Sequence, residues 1–387
     1  MSTQLPKLLS RMGRLIESPS ISSAENTIDQ SNFGVINLLA EWLETLKFNV
    51  RIIPVSPGKA NLIATLGESD KHTGLVLSGH TDTVPFDDGR WTVDPFKLTE
   101  KNQRLYGLGS VDMKSFFAVA LEAVQAFESE KFKRPLVIVA TADEESSMSG
   151  AKLLLEQGIR LGKYAVIGEP TRLKPVRMHK GVMMESIVVT GKSGHSSNPA
   201  LGANALEGMH TVISELLRWR LDLQQSNQNE FFEVAVPTMN LGSIRGGDNP
   251  NRICAHCETQ IDIRPLPGMN IVELREILAH RLESVLESNP LLSLNIKPLF
   301  EGVPAFETPP GSDFVKACEK FAGHNAEAVA FATEAPYLSQ LGMQTVVMGP
   351  GAIDQAHQPD EYLSLDQVNP AIALYKSLIH QFCIVDD

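Results

Sequence analysis

The chain has 387 residues, 43% hydrophobic and 21% charged, with a formal net charge of −12. Its length exceeds what one hydrophobic core usually serves, so two domains are expected. The acidic balance excludes nucleic acid and an anionic membrane surface as partners.

The opening stretch MSTQLPKLLSRMGRLIES is amphipathic, and the spacing predicts a helix over 5–18. Charges break every apolar run there, leaving no leader-like apolar stretch, and no window further on is apolar enough to span a membrane. Four cysteines, Cys254, Cys257, Cys318 and Cys383, make no disulfide framework in a chain this long. A cytoplasmic protein with reduced thiols is expected.

FGVINLLAEWLETL predicts a helix over 33–47, followed by strands at 61–66 and 75–77. DMKSFFAVALEAVQAF predicts a helix over 112–127. PLVIVAT (135–141) reads as a buried strand, SGAKLLLEQG as a helix and YAVIG (164–168) as another strand. Such alternation implies an α/β fold, a mixed, mostly parallel sheet sandwiched by helices. The pattern changes between 182 and 299, where four strands and two helices form an inserted α+β domain. SDFVKACEKFAG, TVVMGPG and LDQVNPAIALYKSLIHQF then return to the first style. The expected organisation is a discontinuous domain, 1–181 plus 300–387, carrying an insert at 182–299.

Cys254 and Cys257 form a C-x-x-C in RICAHCETQIDIRP. On a strand, residues three apart face opposite ways, and no second pair lies nearby, so structural thiols are expected.

Four apolar strands end in polar residues: LVLSGHTD, VIVATADEES, AVIGEPT and TVVMGPG. Open parallel sheets bind ligands at the carboxyl ends of their strands. That rule gathers His80, Asp82, Asp143, Glu144, Glu145 and Glu169, with Asp112 and His357 on adjoining loops. Singly each has a plain reading: Asp112 as a helix N-cap, Glu169 as a turn carboxylate, Glu144 and Glu145 as charge at a helix entrance, His357 as a surface histidine. Together they are carboxylates converging where little water screens them, and a cation resolves the repulsion. Histidine nitrogen with carboxylate oxygen suits zinc, cobalt or manganese. Two histidines and three carboxylates exceed the needs of one catalytic zinc, which favours two ions sharing a carboxylate.

GHTDTVP, GLGSVDMK, ATADEES, IGEPT and AHQPDEY, in this order, resemble the co-catalytic metallopeptidases of the M20 family. The likeness extends through SGHSSNPA and GGDNPNRICAHCETQIDIRPLPGM of the insert. It implies two divalent ions, zinc or alternatively cobalt, with Asp112 bridging, His80 and Glu169 on one, Glu145 and His357 on the other. Asp82 would orient His80, and Glu144 would be the general base. Ser197 or Asn198 before Pro199 reads as a helix cap, and His195 would otherwise be a turn histidine. The resemblance implies instead a homodimer paired through the insert, which sends His195 into the partner's site. Asn251, Arg264, Arg252 and Thr333 would contact substrate, an arginine taking the carboxylate. The only departure noted is Ser115, where many relatives carry glycine. The implied activity is hydrolysis of an N-acyl amino acid, N2-acetyl-L-ornithine being expected and a desuccinylase substrate the rival. An inactive binding relative is the remaining alternative, and Glu144 speaks against it.

Overall fold

Four apolar runs form the strands Leu75–His80, Leu136–Thr141, Tyr164–Pro170 and Gln344–Gly349 of a computed structural model that describes residues 7–67, 73–286 and 289–385. They are parallel neighbours, in the order 136–141, 75–80, 164–170, 344–349. Both faces of these strands are covered, which is why their sequences are continuously apolar rather than alternating. Parallel pairing demands long crossovers, and the helices Lys114–Gln125 and Ser149–Glu156 supply two of them. The next two strands in the chain, 136–141 and 164–170, pair with Leu75–His80 on opposite sides. The chain must jump back over it, opening a crevice at the carboxyl ends.

Two antiparallel strands, Lys59–Leu66 and Asn49–Ser56, extend the sheet beyond 136–141. The second of these was not expected. It is an edge strand with mostly exposed side chains and Pro54 near its end, so it lacks the apolar signature.

The helix expected over 112–127 begins only at Lys114. Met113 stands at its N-cap, and no side chain caps it. Asp112 is therefore not a cap, and its carboxylate is left for other use. This helix is apolar on every face, and each residue from Lys114 to Leu121 is buried. Its first turn lies against the strand tips. A Cβ on Gly168 would overlap the Phe116 ring, and one on Gly79 would stand 2.5 Å from Met113 Cε. Glycine immediately before His80 and before Glu169 is what lets the helix seat there.

The chain divides into two compact units. The first comprises Met1–Arg177, Thr308–Glu327 and Thr333–Asp387, the second Met178–Glu307 and Ala328–Ala332. The first divide falls four residues before the boundary read from the sequence, the return falls eight residues after it, and 328–332, expected in the first domain, belongs to the second unit. The second unit has an antiparallel sheet ordered Thr238–Gly246, His256–Arg264, Met183–Thr190, Ser293–Pro298, with helices Ala205–Ser226 and Ile271–Glu283. Asn204 and Asn270 cap those helices through their side chains. Asn198, rather than Ser197, caps the short turn Pro199–Leu201.

The expectation that Cys254 and Cys257 face opposite ways is corrected. Only Cys257 lies on the strand, and both thiols are free and buried in the same core of the second unit. Among the described residues no helix is long and apolar enough to cross a membrane.

His179, in the second unit, is fully buried, and its Nδ1 lies 2.8 Å from the Lys180 carbonyl oxygen. Burial lowers its pKa to about 4, with those backbone contacts opposing. Below pH 6.5 the unfolded chain takes a proton that the folded one refuses, so stability falls as pH drops from about 6.5 towards 4. His179→Gln should shrink the stability difference between pH 7 and pH 4.5, read by denaturant unfolding, by about 2 kcal/mol.

Candidate metal centre

His80 is the last residue of its strand, and Glu169 the penultimate residue of the next one over. Glu144 and Glu145 follow the strand ending at Thr141, and His357 follows the strand ending at Gly349. Because those four strands are parallel neighbours, one sheet edge receives them all.

Asp112 sits at the centre. Its Oδ1 is 3.0 Å from His80 Nε2, and its Oδ2 is 3.2 Å from His357 Nε2. Glu169 Oε1 lies 3.5 Å from the same His80 nitrogen, and Glu145 Oε1 lies 3.1 Å from His357 Nε2. Each imidazole thus faces one oxygen of Asp112 and one further carboxylate. Ligand atoms of His80, Asp112 and Glu169 lie within 4.8 Å of one another, as do those of Asp112, Glu145 and His357. His80, Glu144 and Glu145 form a third such group. His80, Asp112 and Glu169 are buried, Glu144 and Glu145 half-buried, and the His357 side chain is 51% exposed.

The His80 ring is held differently from expectation. Its Nδ1 is 3.0 Å from the backbone oxygen of Asp82 and 3.7 Å from the Asp82 carboxylate. A carbonyl can only accept, so Nδ1 carries the hydrogen, and in the neutral ring the Nε2 lone pair faces Asp112 and Glu169. The Asp82 carboxylate accepts the backbone N–H groups of Glu144 and Glu145 at 3.3 and 3.0 Å. Asp82 orients the histidine with its main chain and the acidic turn with its side chain.

Protons and cations compete for these oxygens. Burial, reinforced by Glu169, Glu145 and Glu334, drives the Glu144 carboxyl well above the usual range against the pull of His80. Glu169 is driven well up by burial and the Asp112 charge. Glu145 rises for the same two reasons. Burial would raise Asp112 as well, but its contacts to His357 and His80 outweigh it and hold that carboxyl low. His80 is raised, its contacts to Asp112 and Asp82 overcoming burial. His357 is raised to about 11, chiefly by Asp112 and Glu145. A nest of nitrogen and oxygen donors without thiolate, holding more negative charge than its imidazoles offset, fits divalent cations.

Glu361, Glu334 and Lys114 complete the surroundings and are not marked in the sequence. One oxygen of Glu361, Oε1, accepts the N–H groups of Val111 and Asp112 at 2.8 and 3.1 Å. Its backbone carbonyl accepts from Gly107 at 3.1 Å. Asp360 accepts the Thr92 N–H and hydroxyl, both at 2.8 Å, tying the loop that follows Trp91 to the His357 segment. Glu334 Oε2 is 2.9 Å from the Thr141 hydroxyl, and burial raises its pKa to about 7. Lys114 donates to the Ser18 carbonyl at 2.8 Å and is lowered to about 7 by burial. All three ionisable groups are about 1% exposed.

In the second unit, His195, Asn251 and Arg252 come together. His195 and Arg252 form a β-bridge, and Ser196 N–H donates to the Asn251 carbonyl at 3.1 Å. His195 is exposed, and its Nδ1 accepts the Ser197 N–H at 3.2 Å, which leaves the hydrogen of a neutral ring on Nε2. Arg252 is engaged by Asp248 at 2.6 Å, and Arg264 by Asp262 at 3.0 Å. Thr333 belongs to the first unit and is buried, its hydroxyl accepting the Ala335 N–H at 3.1 Å.

Residues 76–381 match the family described as peptidase family M20/M25/M40. An acetylornithine deacetylase of Edwardsiella ictaluri is 49% identical over 385 residues, 99% of this chain and 100% of that one. Among solved structures, a tripeptidase of Staphylococcus aureus superposes with TM-score 0.77 at 19% identity, covering 97% of this chain and 98% of the other. A dinuclear metal-binding M20 peptidase of Bacillus subtilis gives TM-score 0.68 at 16% identity, with 96% of each chain covered. The chain belongs to peptidase family M20/M25/M40.

Glu361→Ala should leave two buried N–H donors beside Asp112 unpaired. A loss of about 2–5 kcal/mol is expected in denaturant unfolding, and Glu361→Gln, which keeps the accepting oxygen, should lose less than half of that.

Proposed function

We propose that this member of the M20/M25/M40 family removes the acetyl group of N2-acetyl-L-ornithine in the cytoplasm, giving L-ornithine and acetate, a step of arginine biosynthesis. The observation that carries the reaction class is Asp112, whose two oxygens each face a different histidine. The named substrate rests on the likeness to the Edwardsiella ictaluri deacetylase.

His80 and Glu169 would hold one divalent ion, Glu145 and His357 the other, with Asp112 between them; zinc is the expected metal and cobalt the alternative. The ions would supply Lewis acidity towards the acetyl carbonyl and the attacking water. Glu144 takes the proton of that water as its oxygen bonds to the acetyl carbon. It delivers a proton to the amide nitrogen as the C–N bond breaks, which lets the amine leave neutral. Among the described residues the Glu144 carboxylate has no hydrogen-bond partner, so nothing competes for that proton.

Arg252 and Arg264 are the candidates for the substrate carboxylate, with Asn251 and Thr333 as further contacts. Each arginine gives an aspartate one nitrogen, Nη1 to Asp248 and Nε to Asp262, which leaves further donors of the guanidinium for the substrate. His195 would reach the site of a second copy through the second unit and donate from Nε2 to the oxyanion. A desuccinylase would need a further cation for its second carboxylate.

Zinc- or cobalt-loaded protein should hydrolyse N2-acetyl-L-ornithine faster than N-succinyl amino acids, and Glu144→Ala should lower kcat by ~10²–10⁴ with both ions still bound. Full metal occupancy without turnover on any N-acyl amino acid would sink the proposal, and loss of an ion in Glu144→Ala would make Glu144 a ligand. Mixing inactive His195→Ala with inactive Glu144→Ala subunits should restore activity in mixed dimers; none recovered would count against a shared site.

A further inference from the structure

Three acids stand in a row after the strand Leu136–Thr141, and only Glu144 and Glu145 join the metal-ligating groups. Asp143 is held elsewhere. Lys59, 3% exposed at the start of its strand, places Nζ 2.8 Å from Asp143 Oδ1 and 2.8 Å from Asp29 Oδ1. Ser22 donates to Asp143 Oδ1 at 2.9 Å, and Ser149 to Oδ2 at 3.2 Å. The Asp143 carbonyl accepts the N–H of Ser147 at 3.0 Å and of Met148 at 2.6 Å. The residue has φ +57°, a left-handed conformation uncommon outside glycine, though aspartate adopts it more readily than most.

The rest of the turn is clamped from two more sides. Asn61 accepts the Ala142 N–H at 3.0 Å and donates to the Gly150 carbonyl at 2.8 Å. Asp82 takes the N–H groups of Glu144 and Glu145. A buried lysine with two carboxylates is seldom more stabilising than apolar residues of the same volume, because desolvation offsets the attraction. Its presence beside the acidic turn therefore calls for a reason other than stability.

We propose that Lys59 is a positioning residue: it neutralises Asp143 and holds it out of the metal centre, so that Glu144 and Glu145 are the acids presented there. This rests on the two-ion hydrolase reading above. Without the ammonium, Asp143 is a carboxylate one residue from the base held only by the Ser22 and Ser149 hydroxyls, able to turn towards the cations and displace Glu144 or Glu145.

The test compares the full-length native protein with Lys59→Met, Lys59→Arg and the double variant Lys59→Met/Asp143→Asn. Three readouts apply: zinc titration of the metal-free protein by calorimetry, the visible spectrum of the cobalt-loaded protein, and kcat and KM on N2-acetyl-L-ornithine. Lys59→Met should weaken the more weakly held zinc about tenfold, alter the cobalt spectrum, and lower kcat by about 10–100-fold with KM within about twofold. Lys59→Arg should keep the native cobalt spectrum. The double variant, which has no carboxylate left to intrude, should recover most of the zinc affinity and kcat, a non-additive outcome. It also lacks the unpaired Asp143 charge, so it serves where Lys59→Met alone does not fold. Native-like zinc binding and spectrum in Lys59→Met would overturn the proposal. So would a double variant no better than the single, which would assign the loss to packing. If the native protein fails to cleave N2-acetyl-L-ornithine, the substrate reading falls, while the zinc and cobalt readouts still decide the role of Lys59.

Discussion

Carboxylates crowded among apolar strands repel one another, and the layout of this site follows from how each of them is offset. Asp82 accepts two backbone N–H groups, and Glu361 two others. Asp143 has Lys59 and two serines, and Glu334 has the Thr141 hydroxyl. Asp112, Glu145 and Glu169 have only the two imidazoles, and Glu144 has no hydrogen bond to its side chain among the described residues. Sorting the acids by their local compensation separates the scaffold from the groups of the candidate metal centre. Asp82, Asp143 and Glu361 are satisfied by the protein itself, Glu334 keeps one buried oxygen without a partner among the described residues, and the remainder are left in deficit.

That deficit is maintained by packing. The first turn of the helix Lys114–Gln125 presses Met113 and Phe116 onto the strands immediately before His80 and Glu169, where Gly79 and Gly168 leave room. The same contact excludes water from behind the ligands and fixes the loop bearing Asp112. A side chain at either glycine would move the helix, and the carboxylate between the two histidines with it. Rigidity of this kind holds donor atoms in place before any ion arrives.

Much of this was legible in the sequence because the buried strands are continuously apolar and three of them run straight into HTD, ADEES or EPT. The four runs ending in His80, Thr141, Pro170 and Gly349 proved to be parallel neighbours, so the strand-end rule placed their polar tips correctly at one edge. What escaped were charges that look like surface residues. Nothing in LGSVDMK or HQPDEY announces that Lys114 and Glu361 are buried, since burial of a charge depends on partners from distant segments. Lys59 was hidden for the same reason, its partners being Asp29 and Asp143. Short elements were lost too. The hairpin Thr99–Lys101 to Arg104–Tyr106 turns through Asn102 and Gln103, both at positive φ, without the glycine that usually signals such a turn. Asp112 was read among other things as a cap, and the structure shows the helix starting two residues later without one.

The strand Gln344–Gly349 pairs directly with Tyr164–Pro170, although the whole second unit lies between them in the chain. As the polypeptide leaves the ribosome, His80, Asp112 and Glu169 are all available once the first 170 residues have emerged. The trio of Asp112, Glu145 and His357 must wait for nearly the entire chain. Biosynthesis therefore imposes an order on the centre: the buried trio is complete in the chain long before the one that includes the exposed His357.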